Sequence, residues 1–177
     1  MGPANGQLQV RAAQTIQLPT RRATTQLGRW LGRAARAGDL IILSGDLGAG
    51  KTFAARAMAR QMGVDRHVRV TSPTFTLVHE FSTTPRLVHA DLYRISSATE
   101  VDQLLLREAR ADGAVLVVEW GEPYVHELGG DALVVRLTMA QAHRIAILGY
   151  TGPDSLARCQ NPLPPALVTC ATSKQEG

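Results

Sequence analysis

The chain has 177 residues, of which 45% are hydrophobic and 19% charged, and these proportions are typical of a folded globular domain. No apolar run approaches the roughly 20 residues that span a bilayer, and no signal-peptide segment opens the chain. We therefore expect a cytoplasmic protein that does not enter the membrane. The two cysteines belong to no CxxC motif or Cys/His cluster, which argues against a disulfide framework or a zinc site.

The net charge of +4 is unevenly distributed along the chain. Residues 1–38 contain six arginines and no acidic residue, whereas the remainder carries 13 basic and 15 acidic residues. A basic segment of this kind fits a docking face for an acidic partner or RNA, and it equally fits a helix face that is simply solvated. The sequence leaves both alternatives open.

The predicted elements alternate between strands and helices. We expect a flexible N-terminus over residues 1–14, a strand over 15–18, a helix from the N-cap Thr20 to Gly38, a strand over 40–43, a helix over 53–62 and a strand over 68–70. Further strands are expected over 76–81, 87–91, 115–119, 133–138 and 144–150, with one helix from the capping box at Ser97 to Ala111. Four prolines predict a disordered tail over residues 151–177.

The segment Gly45–Thr52 reads GDLGAGKT and fits the phosphate-binding pattern GxxxxGK[ST] without a mismatch. An apolar strand precedes it and a helix follows it, as the motif requires. Its glycines allow backbone N–H groups to turn toward phosphate oxygens. The Lys51 ammonium suits the β- and γ-phosphates, and the Thr52 hydroxyl suits Mg²⁺. The segment therefore predicts a nucleotide phosphate site.

The alternation of strands and helices predicts a three-layer α/β fold of the P-loop NTPase type over residues 15–150. Its sheet should be mostly parallel, with antiparallel late strands. In such sheets ligands bind at the C-terminal ends of the strands. Asp91 and Glu119 each end an apolar strand, and a P-loop enzyme needs one acid for Mg²⁺ and a group that orients the attacking water. We expect both to converge with Lys51.

Other polar and aromatic residues near these motifs have two interpretations each. Trp120 is suited to stack on a base or a partner, and equally to fill a hydrophobic space. Ser72 and Thr74 either sense the γ-phosphate or cap a turn. His79 and His89 are lone histidines in predicted strands, and we give their functional interpretation little weight.

The absence of two guanine-nucleotide motifs reduces the number of nucleotide-binding classes to which the sequence can belong. The sequence contains neither an NKxD guanine-specificity signature nor a DxxG motif after the glycine-rich segment, so a Ras-like GTPase is disfavoured. Three alternatives remain: an ATPase, a non-catalytic ATP-responsive scaffold, and a small-molecule or nucleotide kinase.

Four motifs together resemble the bacterial TsaE (YjeE) family, whose ATPases serve the synthesis of tRNA N6-threonylcarbamoyladenosine (t6A). They are GDLGAGKT at 45–52, TSPTFTL at 71–77, HADLYR at 89–94 and VEW at 118–120, and the likeness extends from about residue 20 to residue 150. The sequence departs from the family pattern at Phe53, at Gly121 and at the segment 105–108, where the family has a glycine-centred stretch. These departures leave the ATP-binding motifs intact.

The resemblance implies a cytoplasmic ATPase that uses ATP and Mg²⁺ and is slow when isolated. It further implies an accessory to a TsaD–TsaB complex that meets tRNA only indirectly and is a monomer alone. Carried onto this sequence, Lys51, Asp91 and Glu119 would be catalytic, and Thr52 and Glu119 would hold Mg²⁺. The nucleotide would contact Asp46, Leu47, Gly48, Ala49, Gly50, Lys51, Thr52 and Trp120, with Thr20 near the adenine.

Overall fold

The structure, a computed structural model, describes residues 10–140 and 143–168. Its strands are β1 (Arg11–Leu18), β2 (Leu40–Ser44), β3 (Val78–Phe81), β4 (Leu87–Asp91), β5 (Val115–Glu119), β6 (Ala132–Ala140) and β7 (His143–Tyr150). Its helices are α1 (Arg21–Ala34), α2 (Lys51–Gln61), α3 (Ala98–Asp102), α4 (Leu106–Ala111), α5 (Pro153–Cys159) and α6 (Pro165–Val168), with a 3-10 turn at Glu122–Tyr124. Within these two ranges, no helix has the length and apolar character needed to cross a bilayer.

The strands form a seven-stranded sheet in the order β1-β7-β6-β2-β5-β4-β3. The four central strands, β6, β2, β5 and β4, are parallel, whereas β7, β1 and β3 run antiparallel to their neighbours. All residues of β2, β4 and β5 are buried because helices cover both faces of the sheet. The predicted three-layer α/β fold is confirmed. The C-terminal ends of β2, β4 and β5 consequently share one edge.

Helix α1 covers one face of the sheet through an apolar stripe. Leu27, Trp30 and Leu31 recur at helical spacing and are almost completely buried. The Thr20 hydroxyl accepts a hydrogen bond from the N–H of Ala23 at 3.1 Å, so Thr20 is the N-cap, as predicted. Arg29, like the other arginines of the helix, lies on the exposed side.

Two predictions about strands are wrong. Residues 11–14, expected to be flexible, belong to β1, because the strand pairs with β7 from Arg11 to Leu18; residues 1–9 lie outside the described range. Residues 68–70, expected to form a strand, are irregular. There the carbonyls of Val68 and Val70 accept hydrogen bonds from the α2 arginines Arg60 and Arg56 instead of from a neighbouring strand.

The helix predicted over residues 97–111 is divided into α3 and α4. The N-cap half of the predicted capping box is confirmed, since Ser97 Oγ accepts a hydrogen bond from the N–H of Glu100. The Glu100 carboxylate accepts a hydrogen bond from the Ser97 hydroxyl, not from the Ser97 N–H that completes a capping box. Leu105 then takes a left-handed conformation with φ of 52°. Val101 and Leu106 are both buried, although a continuous helix would place them about 140° apart, and the break lets both face the core.

The prediction of a disordered tail is wrong for residues 151–168, which contain two short helices. Residues 169–177 lie outside the described range. Pro153 and Pro165 each begin a short helix, a position that proline tolerates because its missing N–H would have no helical partner. The indole N–H of Trp30 donates to the carbonyl of Pro162 at 3.0 Å, and Leu167 is fully buried. The segment is therefore part of the folded domain.

The carboxylate of Asp131 fixes the start of α5. It accepts hydrogen bonds from the N–H groups of Asp154 and Ser155, both at 2.9 Å. Burial acts to raise the pKa of Asp131, but the hydrogen bonds from Ser155 and Asp154, with the nearby Arg110, hold that pKa below its ordinary value of 3.8. The folded tail is thus tied to an ionised carboxylate.

Candidate functional site

The loop over residues 45–50 connects β2 to α2, and we refer to it as the glycine loop. Gly45 and Gly50 take φ values of 120° and 103°, which side chains disfavour. A Cβ on Gly45 would also collide with the carbonyl oxygen of Leu137 on β6. Leu47, at the tip, is 85% exposed, whereas Ala49 is buried. The residues predicted to contact nucleotide, Asp46, Leu47, Gly48, Ala49, Gly50, Lys51 and Thr52, all lie in this loop or in the first turn of α2.

The side chain of Lys51 lies inside the glycine loop. Its ammonium donates hydrogen bonds to the carbonyls of Gly45 and Asp46, at 2.5 and 2.9 Å. The ring of Trp120 covers it, with its centroid 3.9 Å from Nζ. Burial lowers the pKa of Lys51 from its ordinary 10.5, against the opposing effect of nearby carboxylates, foremost Glu119. An incoming phosphate would replace weak carbonyl partners of this ammonium with a strong anionic one.

The two predicted acids meet at the C-terminal edge of the sheet. Asp91 and Glu119 are register partners on β4 and β5, and both are almost fully buried. Glu119 Oε2 accepts a hydrogen bond from the Thr52 hydroxyl at 3.0 Å. The structure thus brings together Lys51, Thr52, Asp91 and Glu119, which come from three separate stretches of the sequence.

The carboxylate of Asp91 holds the turn that precedes β3. Both Ser72 and Thr74 donate hydroxyl hydrogen bonds to its Oδ2, the latter at 2.8 Å. Its Oδ1 accepts the N–H of Tyr93 at 3.0 Å. The position of this turn is therefore coupled to one of the two acids that end β4 and β5.

The donor set at this edge fits Mg²⁺. The Thr52 hydroxyl and the Glu119 carboxylate supply hard oxygen ligands, the type that Mg²⁺ prefers. In residues 10–140 and 143–168, no group of three or more His, Cys, Asp or Glu side chains could hold a metal ion by itself. Mg²⁺ would therefore need further ligands from nucleotide phosphates and water, which is its usual coordination in nucleotide sites.

Trp120 and Thr20 occupy different parts of the site. Trp120 follows β5 with a φ of 63°, and its ring lies 5.1 Å from that of Tyr93. Thr20 uses its hydroxyl as the α1 N-cap. The next residue, Arg21, stacks over Phe53 at 5.3 Å, which places the start of α1 beside the start of α2.

Two further polar residues lie at this edge: His89, whose functional interpretation received little weight above, and Glu122, which no motif indicated. His89 Nε2 lies 3.0 Å from Glu119 Oε1, with both side chains buried. Side chains alternate between the two faces of a strand, so the sequence of β4 already places His89 on the same face as Asp91. Glu122 accepts a hydrogen bond from Ser44 at the end of β2, at 2.5 Å. No sequence pattern indicates that contact, because the two residues are distant in the chain.

Comparisons with known proteins point to one protein family. A sequence model of the family described as "Threonylcarbamoyl adenosine biosynthesis protein TsaE" matches residues 18–146. A Streptomyces coelicolor protein named tRNA threonylcarbamoyladenosine biosynthesis protein TsaE is 44% identical over 118 residues, covering 65% of this chain and 78% of that one. A Mycobacterium bovis protein of the same name is 42% identical over 133 residues, covering 70% and 77%.

The fold likewise has a solved counterpart. The crystal structure of Bacillus subtilis YdiB covers 86% of this chain and is itself covered to 94%, with a TM-score of 0.70 and 24% sequence identity. At this identity the likeness concerns the fold alone. The family match spans most of the chain and includes the glycine loop, both strand-end acids and Trp120. The chain belongs to the TsaE family.

Proposed function

We propose that this protein is a Mg²⁺-dependent ATPase that acts in t6A biosynthesis as an accessory to a TsaD–TsaB-like complex. The observation that carries the proposal is the contact of Thr52 with Glu119 at 3.0 Å, beside the buried Lys51. These are the three side chains that a P-loop ATPase needs for metal and phosphate. Family membership supports the biosynthetic role.

Each side chain has a distinct role in the proposed reaction. Lys51 and the N–H groups of the glycine loop would bind the β- and γ-phosphates, and Thr52 with Glu119 would hold Mg²⁺. Held there, Mg²⁺ would neutralise charge on the phosphate oxygens. Asp91 would accept a hydrogen bond from the attacking water and orient it in line with the γ-phosphate. Its hydrogen bonds to the turn around Ser72 fix that carboxylate in position.

Exposed apolar side chains around the site support a protein partner. Leu47 in the glycine loop and Phe75 in the turn next to Asp91 are 85% and 87% exposed. Tyr93, beside Trp120, is 58% exposed. Exposed aromatic and aliphatic residues at one place are typical of an interface core. A partner docked there would cover the nucleotide, so we expect slow hydrolysis alone, faster hydrolysis in the complex, and only indirect contact with tRNA.

A non-catalytic, ATP-responsive scaffold is the second candidate. The observation that favours it is that the Asp91 carboxylate already accepts three hydrogen bonds, from the hydroxyls of Ser72 and Thr74 and from the N–H of Tyr93. These bonds compete with the hydrogen bond that an attacking water would donate to Asp91. In that case ATP would only reposition the turn over residues 72–76 for a partner. Single-turnover assays with and without the TsaD–TsaB-like complex separate the candidates, since a scaffold releases no phosphate under either condition.

Titration calorimetry with ATP and Mg²⁺ tests the site directly. We expect Lys51→Ala to abolish ATP binding, because no other lysine lies among the described residues to replace its charge. Asp91→Asn should keep ATP affinity but lose turnover, and Glu119→Gln should weaken the dependence on Mg²⁺. Arg29→Ala, an exposed change on α1, is the matched control and should bind ATP normally. Unchanged ATP affinity in Lys51→Ala would contradict the site assignment.

A further inference from the structure

His89 lies within the sheet, two residues before Asp91 on the same face of β4. Leu87 precedes it on that face, and Val117 is its register partner on β5; both apolar residues belong to the core cluster under α1 and α2. The side chain of His89 is only 2% exposed. A polar ring in such a place is costly unless it forms a hydrogen bond.

Glu119 is the hydrogen-bond partner of this ring. His89 Nε2 lies 3.0 Å from Glu119 Oε1, and both side chains are buried. An ionised carboxylate only accepts hydrogen bonds, which assigns the donated proton to Nε2. The other ring nitrogen, Nδ1, is buried and has no hydrogen-bond partner in residues 10–140 and 143–168. Within these ranges the polar contact of the ring is therefore directed to one carboxylate oxygen.

This hydrogen bond fixes one of the two oxygens of Glu119. The terminal torsion of a glutamate side chain is broad, so a carboxylate held by one oxygen can still turn. Glu119 is held by both oxygens, because the Thr52 hydroxyl donates to Oε2 at 3.0 Å. Oε2 is thus kept beside Thr52, the other residue that would hold Mg²⁺. Carboxylates that bind metals depend on such outer hydrogen bonds, and the loss of one typically costs about 10- to 100-fold in metal affinity or activity.

We propose that His89 is a positioning residue of the Mg²⁺ site, which acts by holding Glu119 Oε1 so that Oε2 stays beside Thr52. This inference rests on the proposed Mg²⁺-dependent ATP site and adds a residue to it. Among the described residues, the hydrogen bonds of Lys51 and the glycine loop do not include His89. A change of the ring should therefore alter the response to Mg²⁺ and leave metal-free ATP binding as it is.

Two amide substitutions separate the hydrogen bond from the bulk of the ring. The amide nitrogen of glutamine is as many bonds from Cα as Nε2 of histidine, so His89→Gln keeps a donor for Glu119. The amide nitrogen of asparagine corresponds to Nδ1 instead, so His89→Asn is too short to donate to the same oxygen. His67→Asn, the same change at an exposed histidine after α2, is the matched control.

Calorimetric titrations with ATP in EDTA and at a series of Mg²⁺ concentrations test the assignment. We expect His89→Asn to raise the Mg²⁺ concentration that gives half of the gain in ATP affinity about 10- to 100-fold. Its ATP affinity in EDTA should equal that of the wild type. His89→Gln should recover most of the wild-type response to Mg²⁺, and His67→Asn should match the wild type.

A double variant tests whether His89 acts through Glu119. In the Glu119→Gln background, the carboxylate that His89 positions is already lost. His89→Asn should therefore cause no further change in the response to Mg²⁺, because the effects of two residues in one hydrogen-bonded pair are not additive. A further loss in the double variant would overturn the positioning role.

The outcomes separate this inference from the proposed function. If ATP binding by the wild type does not respond to Mg²⁺, the proposed function and this inference both fail. If the wild type responds and His89→Asn responds equally, only the role of His89 is overturned. Weaker binding of His89→Asn in EDTA would also overturn it, because His89 would then support the whole site.

The conservative variant and the folding control complete the test. If His89→Gln is as impaired as His89→Asn, the shape of the ring matters and not its hydrogen bond, which overturns the inference. Urea titrations show whether each variant folds cooperatively. If His89→Asn does not, His89→Leu, which lacks a donor but suits an apolar core position, replaces it, and the same results decide.

Discussion

Helix α1 approaches α2 closely at Gly28, and the effect of Gly28→Ala on stability tests this close approach. An added Cβ would lie 2.5 Å from the carbonyl oxygen of Ala54 and 2.6 Å from the Cβ of Ala57. Both atoms belong to, or are attached to, the backbone of α2, so neither can rotate away. The two helices would have to separate, which would also disturb the starts of both helices beside the glycine loop.

Two effects oppose each other in this variant. Alanine is favoured over glycine in a helix interior by about 1 kcal/mol. Forcing a methyl group into a packed contact costs about 1–3 kcal/mol, and contacts with rigid backbone atoms belong at the upper end. We therefore expect Gly28→Ala to lower the free energy of unfolding by about 2 kcal/mol. For a chain of this size, that corresponds to a fall in Tm of about 4–8 °C.

Thermal and urea unfolding of purified Gly28→Ala provide the measurement. Arg29→Ala, at the next position of α1 but exposed, is the control, and its free energy of unfolding should change by less than about 0.5 kcal/mol. A Gly28→Ala protein as stable as the wild type, or more stable, would mean that helix propensity outweighs the contact. The close approach of α1 and α2 would then be refuted.

Three further predictions concern other parts of the fold. Arg110 donates hydrogen bonds to four backbone carbonyls, so Arg110→Met should lower the free energy of unfolding by about 3 kcal/mol in urea titrations. The pKa of Asp131 is lower in the folded than in the unfolded chain, so its stabilisation is present above about pH 4 and is lost as the pH falls through the folded pKa. Asp131→Asn should therefore cost about 1 kcal/mol at pH 7, and its difference from wild type should shrink in acid. If α1 is a docking face, the double variant Arg29→Gln, Arg33→Gln should associate more slowly with a TsaD–TsaB-like complex, and the difference should be largest at low salt. If neither the substitutions nor the ionic strength changes the association rate, the exposed face of α1 is only a solvated surface. Arg36 is left unchanged there because it caps the C-terminal carbonyls of α1.

Local sequence was sufficient to predict the glycine loop. Its backbone requirements fall on consecutive residues, and Gly45 and Gly50 indeed take conformations that side chains disfavour. The buried strands β2 and β5 were also predicted, because continuous apolar runs are characteristic of strands covered on both faces, and β4 was predicted although His89 interrupts its apolar run. Two of these strands end in an acidic residue. Because parallel strands have their C-terminal ends at the same edge of the sheet, the sequence predicted that the two acids lie at one edge.

Tertiary contacts decided the remaining features. The prolines of the tail predict disorder, but contacts with α1 and with Asp131 order residues 151–168. The pairing that extends β1 to Arg11 depends on β7, more than 130 residues away. The period of β4 places His89 on the same strand face as Asp91, but only the packing of strands from distant segments places it beside Glu119, and Arg144 beside Gly50. A short sequence pattern predicts the backbone conformation of its own segment. The partner of a buried charged side chain depends on which distant segments the tertiary structure packs against it.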